Sequence, residues 1–265
     1  MEKDFNSKSF LTQNKLKKIL SILLIVLGAI SMALAIFVTP DTDDSEGTNP
    51  PNQSTENNNN SNGTTENENS DFTFELNADG TYAVTGYNGT SNSITIPNTY
   101  NNKKVTSIGD NAFELSEGLT SITMSNSVTT IGDYAFYKCS NLISLTLSDS
   151  LTSIGNNAVS YCSKLKSVTI PDKVTTIGEW AFYQCSALIN ITIPVSVTSI
   201  GYYAFYGNTN LISVFYKGTA ENWENISIDS SNRYLTDATL YFYSEAKPSS
   251  SGHYWHYVNG NPVVW

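Results

Sequence analysis

The chain has 265 residues, with 14 basic and 24 acidic side chains and a net charge of −10. Residues 1–40 hold five Lys against Glu2 and Asp4, so residues 41–265 carry 9 basic and 22 acidic groups, a balance of −13. Such a charge leaves no electrostatic footprint for nucleic acid and repels an anionic lipid surface, and three Cys are too few, and odd in number, for a disulfide-stapled fold.

From Ile19 to Val38 the chain runs 20 residues without a charge. At a helical rise of about 1.5 Å per residue this stretch spans roughly 30 Å, the thickness of a hydrocarbon core. Lys15, Lys17 and Lys18 precede it, and Pro40, Asp41, Asp43 and Asp44 follow. The positive-inside rule then predicts a cytoplasmic basic segment over 1–18, a single-pass anchor over 19–39, and an exported remainder at the cell surface. The competing reading is a signal peptide cleaved near Ala33-Leu34-Ala35, although such apolar regions usually run only about 7–15 residues. Residues 40–70 follow as an Asn-rich, acidic tether. From Asp41 to Ser70 there are nine Asn, seven acidic groups and no basic or apolar side chain. A segment of that composition buries too little surface to offset its chain entropy. Asn-x-Ser/Thr sequons at Asn52, Asn62, Asn88, Asn190 and Asn225 matter only in a glycosylating host.

Over 71–104 the pattern predicts an N-terminal cap and an incomplete repeat. Phe72–Leu76 and Thr81–Tyr87 alternate apolar and polar residues around Asp79-Gly80, a hairpin signal. Ser93–Ile96 reads as a strand, and surplus residues within 98–104 read as a surface bulge.

Five stretches then organise the chain over 105–216. They read VTSIGDNAF from Val105, VTTIGDYAF from Val128, LTSIGNNAV from Leu151, VTTIGEWAF from Val174 and VTSIGYYAF from Val197, each 23 residues after the last. An unbroken period of this length is the signature of a solenoid. Within one period, Leu142, Leu145 and Leu147 make an L-x-x-L-x-L strand, and Leu151 and Ile154 bracket a second extended piece. Gly155 ends that piece, read as a position needing a backbone without a Cβ penalty. One repeat cannot bury enough surface to fold alone, so stacking must complete it. Residues 217–265 are expected to close the far end as a β cap, with Asn259-Gly260 turning one strand into the last.

The run S-I-T-x-P-x-x-V-T-x-I-G-x-x-A-F-Y-x-C-S-x-L, over about residues 93–216, resembles the BspA-type leucine-rich repeats of bacterial and protist surface proteins. The tail from Tyr216-Lys-Gly-Thr-Ala-Glu-Asn-Trp223 to Tyr254-Trp-His-Tyr-Val-Asn-Gly260 is similar to the ending of such proteins in gut Firmicutes. The resemblance implies a β-rich solenoid of leucine-rich-repeat type and an exported binding or adhesion protein without catalysis or cofactor. It carries over no functional residue.

Site candidates therefore come from the residues. Cys139, Cys162 and Cys185 share one ladder position, taken by Ser116 and Asn208 in the outer repeats. With coils about 4.8 Å apart, the first and third thiols are too far apart for one zinc ion, whose two Zn–S bonds span at most about 4.6 Å. They read as small buried thiols. His253 and His256 lack ligand company and read as strand residues, with an aromatic sugar-binding hairpin as the rival reading. Columns of Ser and Thr (Ser121, Ser144, Ser167, Asn190, Ser213 and Thr123, Thr146, Thr169, Thr192) are expected to face outward as structural hydroxyls. The residue pairs before each Ala-Phe vary freely: Asp110-Asn111, Asp133-Tyr134, Asn156-Asn157, Glu179-Trp180, Tyr202-Tyr203. Tyr137, Tyr183 and Tyr206 follow the Phe positions, and Tyr161 falls one residue later in its repeat. Large aromatics at non-core positions point to a contact surface. The candidate ligand-binding residues are Tyr134, Trp180, Tyr183, Tyr202, Tyr203 and Tyr206, facing a protein or glycan. Corner packing of the coil and a passive stalk are the rival readings.

Overall fold

The structure, a computed structural model, describes residues 71–265. The expected anchor over Ile19–Val38 and the tether over 40–70 lie outside them. Among the described residues no helix is long and apolar enough to cross a membrane.

Phe72–Leu76 (β1) and Tyr82–Tyr87 (β2) pair antiparallel around Asp79-Gly80, where Gly80 takes φ +81°. This hairpin lies over the first coil: β2 runs parallel to Lys103–Ile108 (β5), and Phe74 stacks on Tyr100 with ring centres 3.9 Å apart. The first coil begins with Ser93–Ile96 (β3). The bulge expected over 98–104 is instead a small hairpin. Thr99–Tyr100 (β4) pairs antiparallel with β5 across Asn101 and Asn102, at φ 48° and 60°. Asn tolerates this left-handed backbone, so Asn-Asn makes the two-residue turn for which Asn-Gly is the usual signal.

Each later coil carries a strand on two of its three sides. The first side holds Ser121–Met124 (β6), Ser144–Thr146 (β8), Ser167–Thr169 (β10), Asn190–Ile193 (β12) and Ser213–Tyr216 (β14). The second holds Thr130–Ile131 (β7), Ser153–Ile154 (β9), Thr176–Ile177 (β11), Ser199–Ile200 (β13) and Ser227–Ile228 (β15). Partners on the second side keep the 23-residue step (Thr130, Ser153, Thr176, Ser199) until Ser199 pairs with Ser227. The surplus in that last step forms a short helix, Ala220–Glu224 (α1), with a capping box at Thr219 and Asn222.

The second side is one continuous sheet, but the first side is two. No ladder joins β8 to β10, and a cleft of about 360 Å³ opens there, lined in part by Ser144, Thr146, Ser167, Thr169 and Lys217. Coil three also departs from the repeat inside. Phe113 stacks on Phe136, and Phe182 on Phe205, each at 5.3 Å, but Val159 stands between the two pairs.

The repeated glycines are not required by their own backbone conformation, contrary to the expectation at Gly155. Gly132, Gly155, Gly178 and Gly201 do not take positive φ. They are required by close stacking: a Cβ on Gly155 would meet the carbonyl carbon of Gly132 at 2.7 Å, and one on Gly178 would meet that of Gly155 at 2.7 Å. The left-handed backbone comes two residues later, at Asn111, Tyr134, Asn157, Trp180 and Tyr203 (φ 54–59°).

Cys139, Cys162 and Cys185 are free and fully buried, and each thiol donates to a backbone carbonyl of the preceding coil: Phe113, Phe136 and Val159. Asn208 fills the same place in the fifth coil, its Nδ2 donating to the carbonyls of Phe182 and Phe205 at 2.9 Å.

At the C-terminal end, after the short helix Arg233–Thr236 (α2), the strands Thr239–Tyr243 (β16), Tyr254–Val258 (β17) and Asn261–Val264 (β18) extend the first side. Asn259 and Gly260, at φ 50° and 78°, make the turn between β17 and β18. Trp255 is fully buried, packs on Phe215 at 5.4 Å and donates its indole N–H to the Tyr216 carbonyl. Next to this end Thr192 and Ser213 are buried as well. The hydroxyl columns therefore face solvent at Ser144, Thr146, Ser167 and Thr169 but not at their C-terminal ends.

Candidate functional site

The candidate residues lie on the third side of the coil, the turn that carries Ala-Phe. Here too the backbone bonds from coil to coil. The N–H groups of Tyr134, Phe136 and Lys138 donate to Asn156, Ala158 and Ser160, and those of Trp180, Phe182 and Gln184 to Tyr202, Ala204 and Tyr206. At the end of the stack no further coil offers a carbonyl. The buried Asn232 side chain accepts the Phe205 N–H at 2.9 Å instead, and its Nδ2 donates to Gly201 and Asp229.

The pairs before Ala-Phe are not free. The first residue of each early pair caps the next coil: the carboxylates of Asp110 and Asp133 and the amide oxygen of Asn156 accept the N–H of Asp133, Asn156 and Glu179 at 2.8, 2.6 and 2.9 Å. The second residue of every pair is left-handed. Asn111 and Asn157 suit that backbone, because Asn is among the few residues enriched there. Tyr134, Trp180 and Tyr203 do not, since an L-residue with a bulky side chain costs about 1–2 kcal/mol in this conformation. Three coils thus hold an aromatic where the backbone disfavours one.

The rings form a continuous array. Tyr134 meets Tyr137 at 5.4 Å, Tyr137 meets Tyr161 at 5.6 Å, and Tyr161 meets Tyr183 at 5.3 Å. Trp180 lies 4.9 Å from Tyr183, 5.6 Å from Tyr202 and 4.7 Å from Tyr203. Tyr206 lies 4.8 Å from Tyr203 and 5.5 Å from Tyr234. Continuity survives an irregularity in coil three, where the position aligned with Tyr137 and Tyr183 is Ser160, fully buried and bonded to the Trp180 carbonyl. The next residue, Tyr161, is left-handed at φ 60° and brings its ring into the gap.

Tyr134, Tyr161 and Tyr202 are 39, 37 and 41% exposed, so the array is open to solvent while its lower edges rest on the coil. The phenols stay protonated beyond their usual range at two places. Burial and then the neighbouring Tyr183 push Tyr161 up, and the hydrogen bond to Tyr202 and that ring's charge push Tyr203 up. The surface therefore offers neutral aromatic faces with hydroxyl donors. Tyr134 reaches the other five candidates through Tyr137 and Tyr161, which lie outside the candidate set. Tyr234 was missed, because it lies in α2, outside the 23-residue register. Among the described residues, no group of His, Cys, Asp or Glu is arranged to hold a metal ion. His256 stacks on Trp265 at 3.7 Å.

Comparison with known proteins agrees with this architecture. Six copies of the BspA type Leucine rich repeat region match residues 82–212. Over those residues the chain belongs to the BspA-type leucine-rich repeat family. A leucine rich cell surface protein from Faecalibacterium prausnitzii is similar at 35% identity and TM-score 0.55, covering 60% of this chain. This chain spans only 41% of that protein. The T. pallidum Leucine Rich Repeat protein is similar at 29% identity and TM-score 0.54, over 55% of this chain and 68% of its own. None of the curated proteins compared with the chain matches it. The BspA-type repeats thus account for the solenoid; Tyr137, Tyr183 and Tyr206 follow the Phe of its recurring run, while Tyr134, Trp180, Tyr202 and Tyr203 stand at positions that vary from coil to coil.

Proposed function

We propose that this BspA-type repeat protein is an exported, surface-tethered binding module, without a catalytic step, whose third side captures another protein or a glycan. One observation carries the reading. The aromatic array runs unbroken from Tyr134 to Tyr234, and it is built partly from residues that the left-handed backbone disfavours. Local strain kept at several equivalent positions is characteristic of sites selected for contact rather than for stability. Tyr and Trp also dominate the energetics of protein interfaces. The apolar run Ile19–Val38 and its flanking Lys residues support the tether. A passive stalk would need no such surface. A sugar-binding hairpin at the C-terminal end is the less favoured reading, because Trp255 is fully buried there.

The test is capture from host and bacterial surface extracts by the full-length protein and two variants. Replacing Trp180 and Tyr203 together by Asn removes two rings and leaves a residue suited to the backbone. Capture should fall by at least about tenfold, the loss of one interface hot spot. A control pair, Thr152→Ala and Thr175→Ala on the second side, should leave capture unchanged. Equal capture by all three proteins would remove the third side as the binding face, and no capture by any of them would leave the passive stalk. Intact-cell protease should remove residues beyond 41 and leave the first 40 with the membrane; recovery of secreted protein beginning near Ile36 would show a cleaved signal instead.

A further inference from the structure

Two of the protein's own cations already rest on this array, one at each end. Lys138 Nζ lies 5.1 Å from the ring centre of Tyr137 and 5.8 Å from that of Tyr161. The Arg233 guanidinium lies 4.9 Å from the ring of Tyr234 and donates to its hydroxyl at 3.1 Å. Between them, no side-chain cation among the described residues covers Trp180, Tyr183, Tyr202, Tyr203 or Tyr206. Acid borders this middle. Glu179 is exposed immediately before Trp180. Asp229 is near enough for its charge to help, after the larger effect of Tyr202, to keep Tyr203 protonated. Neither carboxylate has an ion-pair partner among the described residues.

Ring orientation separates the ligand classes. Trp180 and Tyr202 meet at 76°, Tyr202 and Tyr203 at 67°, and Tyr203 and Tyr206 at 83°. Tyr183 and Tyr206 lie near parallel, at 12° and 5.9 Å, but Trp180, Tyr202 and Tyr203 turn their faces in different directions and give no broad coplanar shelf for a chain of sugar rings. They suit separate flexible cations, each attracted to one face by the ring quadrupole. The excess of acid over the exported part draws the same kind of partner.

We infer that the middle of the array binds a cationic peptide segment, with Lys or Arg side chains over Trp180 and Tyr203 and their charges set against Glu179 and Asp229. This rests on the binding role of the third side and narrows its partner to a basic protein.

The experiment is fluorescence anisotropy on the full-length protein with a labelled short peptide alternating Lys and Ser. A matched peptide with Gln for Lys and an oligomer of N-acetylglucosamine serve as neutral probes. The basic peptide should bind and the neutral probes should not. Binding should weaken several-fold from about 0.05 to about 0.5 M salt. W180N/Y203N should weaken it at least about tenfold. E179Q/D229N keeps the local hydrogen-bond acceptors and should weaken it about threefold or more while flattening the salt dependence. Thermal melts of both variants check that they fold. Equal binding of the Lys and Gln peptides, or preference for the sugar, overturns the cationic partner. If W180N/Y203N then still loses capture of surface extract, the binding role stands with a different ligand. If that capture is also unchanged, the binding role falls with it.

Discussion

The first and fifth coils of the solenoid share an interior and differ outside. Inside, Ile108 and Ile200, Ala112 and Ala204, and Phe113 and Phe205 occupy equivalent buried places. The backbone agrees as well, with Asn111 at φ 58° and Tyr203 at φ 54°. Outside, the first coil presents Asp110, Asn111, Glu114 and Leu115, whereas the fifth presents Tyr202, Tyr203 and Tyr206. The coil therefore does not require aromatics on its third side. Stability resides in the shared interior and the ladders, and the proposed recognition would fall to positions that the interior leaves open.

If that division holds, the largest effects follow from damage to the shared interior. Deleting Val128–Ser150, one full period, joins Ser127 to Leu151 and leaves every inward residue in register. The product should fold with modestly lower stability. Deleting Val128–Ser140 shifts the register of everything after it, so cooperative unfolding and native circular dichroism should both be lost. Equal behaviour of the two deletions would contradict a stack of equivalent coils.

Alkaline pH tests the interior in another way. Burial pushes the Cys185 thiol up from 9.0 to about 12, and burial raises Cys162 as well. A thiol whose native pKa is raised contributes its full stability below the unfolded value and loses it as pH climbs toward the native value. The contribution of this thiol to stability should therefore be level below pH 9 and fall between about pH 9 and about pH 12. Replacing Cys185 by Ser, which stands at the equivalent place in the first coil (Ser116), should reduce that fall. At neutral pH the three thiols should resist alkylation until the protein is denatured, and then react as free thiols. Fast labelling of the native protein would show that the column is not closed.

Glycine stacking gives a smaller effect. Gly178→Ala sets a methyl group against the Gly155 carbonyl carbon at 2.7 Å, where only backbone can yield. The expected loss is about 1–3 kcal/mol, typical of overpacking, read from denaturant midpoints. Gly118→Ala, where an added Cβ meets nothing within 4 Å, should change stability little.

Much of this interior was legible in the sequence. The 23-residue step of Ile, Gly and Ala-Phe placed the coils, and Asp79-Gly80 and Asn259-Gly260 placed the hairpins that close both ends. What was hidden depends on neighbours in space. The reason for Gly155 lies in the adjacent coil, not in its own φ. Asp110 looks variable until its carboxylate is seen to cap Asp133. Tyr161 looks out of register until Ser160 turns inward and leaves a gap for its ring. The break between β8 and β10 carries no local signal beyond Val159 and the Leu pair of coil three. Tyr234 joins the array only because the irregular final coil returns α2 to the third side.

The smallest effect tests the exterior directly. Asn157 sits between Tyr134 and Trp180 in the left-handed column, so Asn157→Tyr would give coil three the ring that its neighbours have. Three contributions oppose one another. The substitution loses the contact from Ser160 Oγ to Asn157 Oδ1 at 3.2 Å. It also places a bulky side chain at φ 55°, which costs about 1–2 kcal/mol. Against this, an aromatic pair with either neighbour returns about 0.5–1.5 kcal/mol. The net change in stability should be a loss of about 1 kcal/mol, because the two largest contributions nearly cancel and the lost Ser160 contact remains. Capture through the third side should be maintained or strengthened, since the array gains a ring without losing one. If Asn157→Tyr unfolds the protein, a ring at this position has to be matched by its own coil, and the aromatics at Tyr134, Trp180 and Tyr203 belong to the packing of their coils.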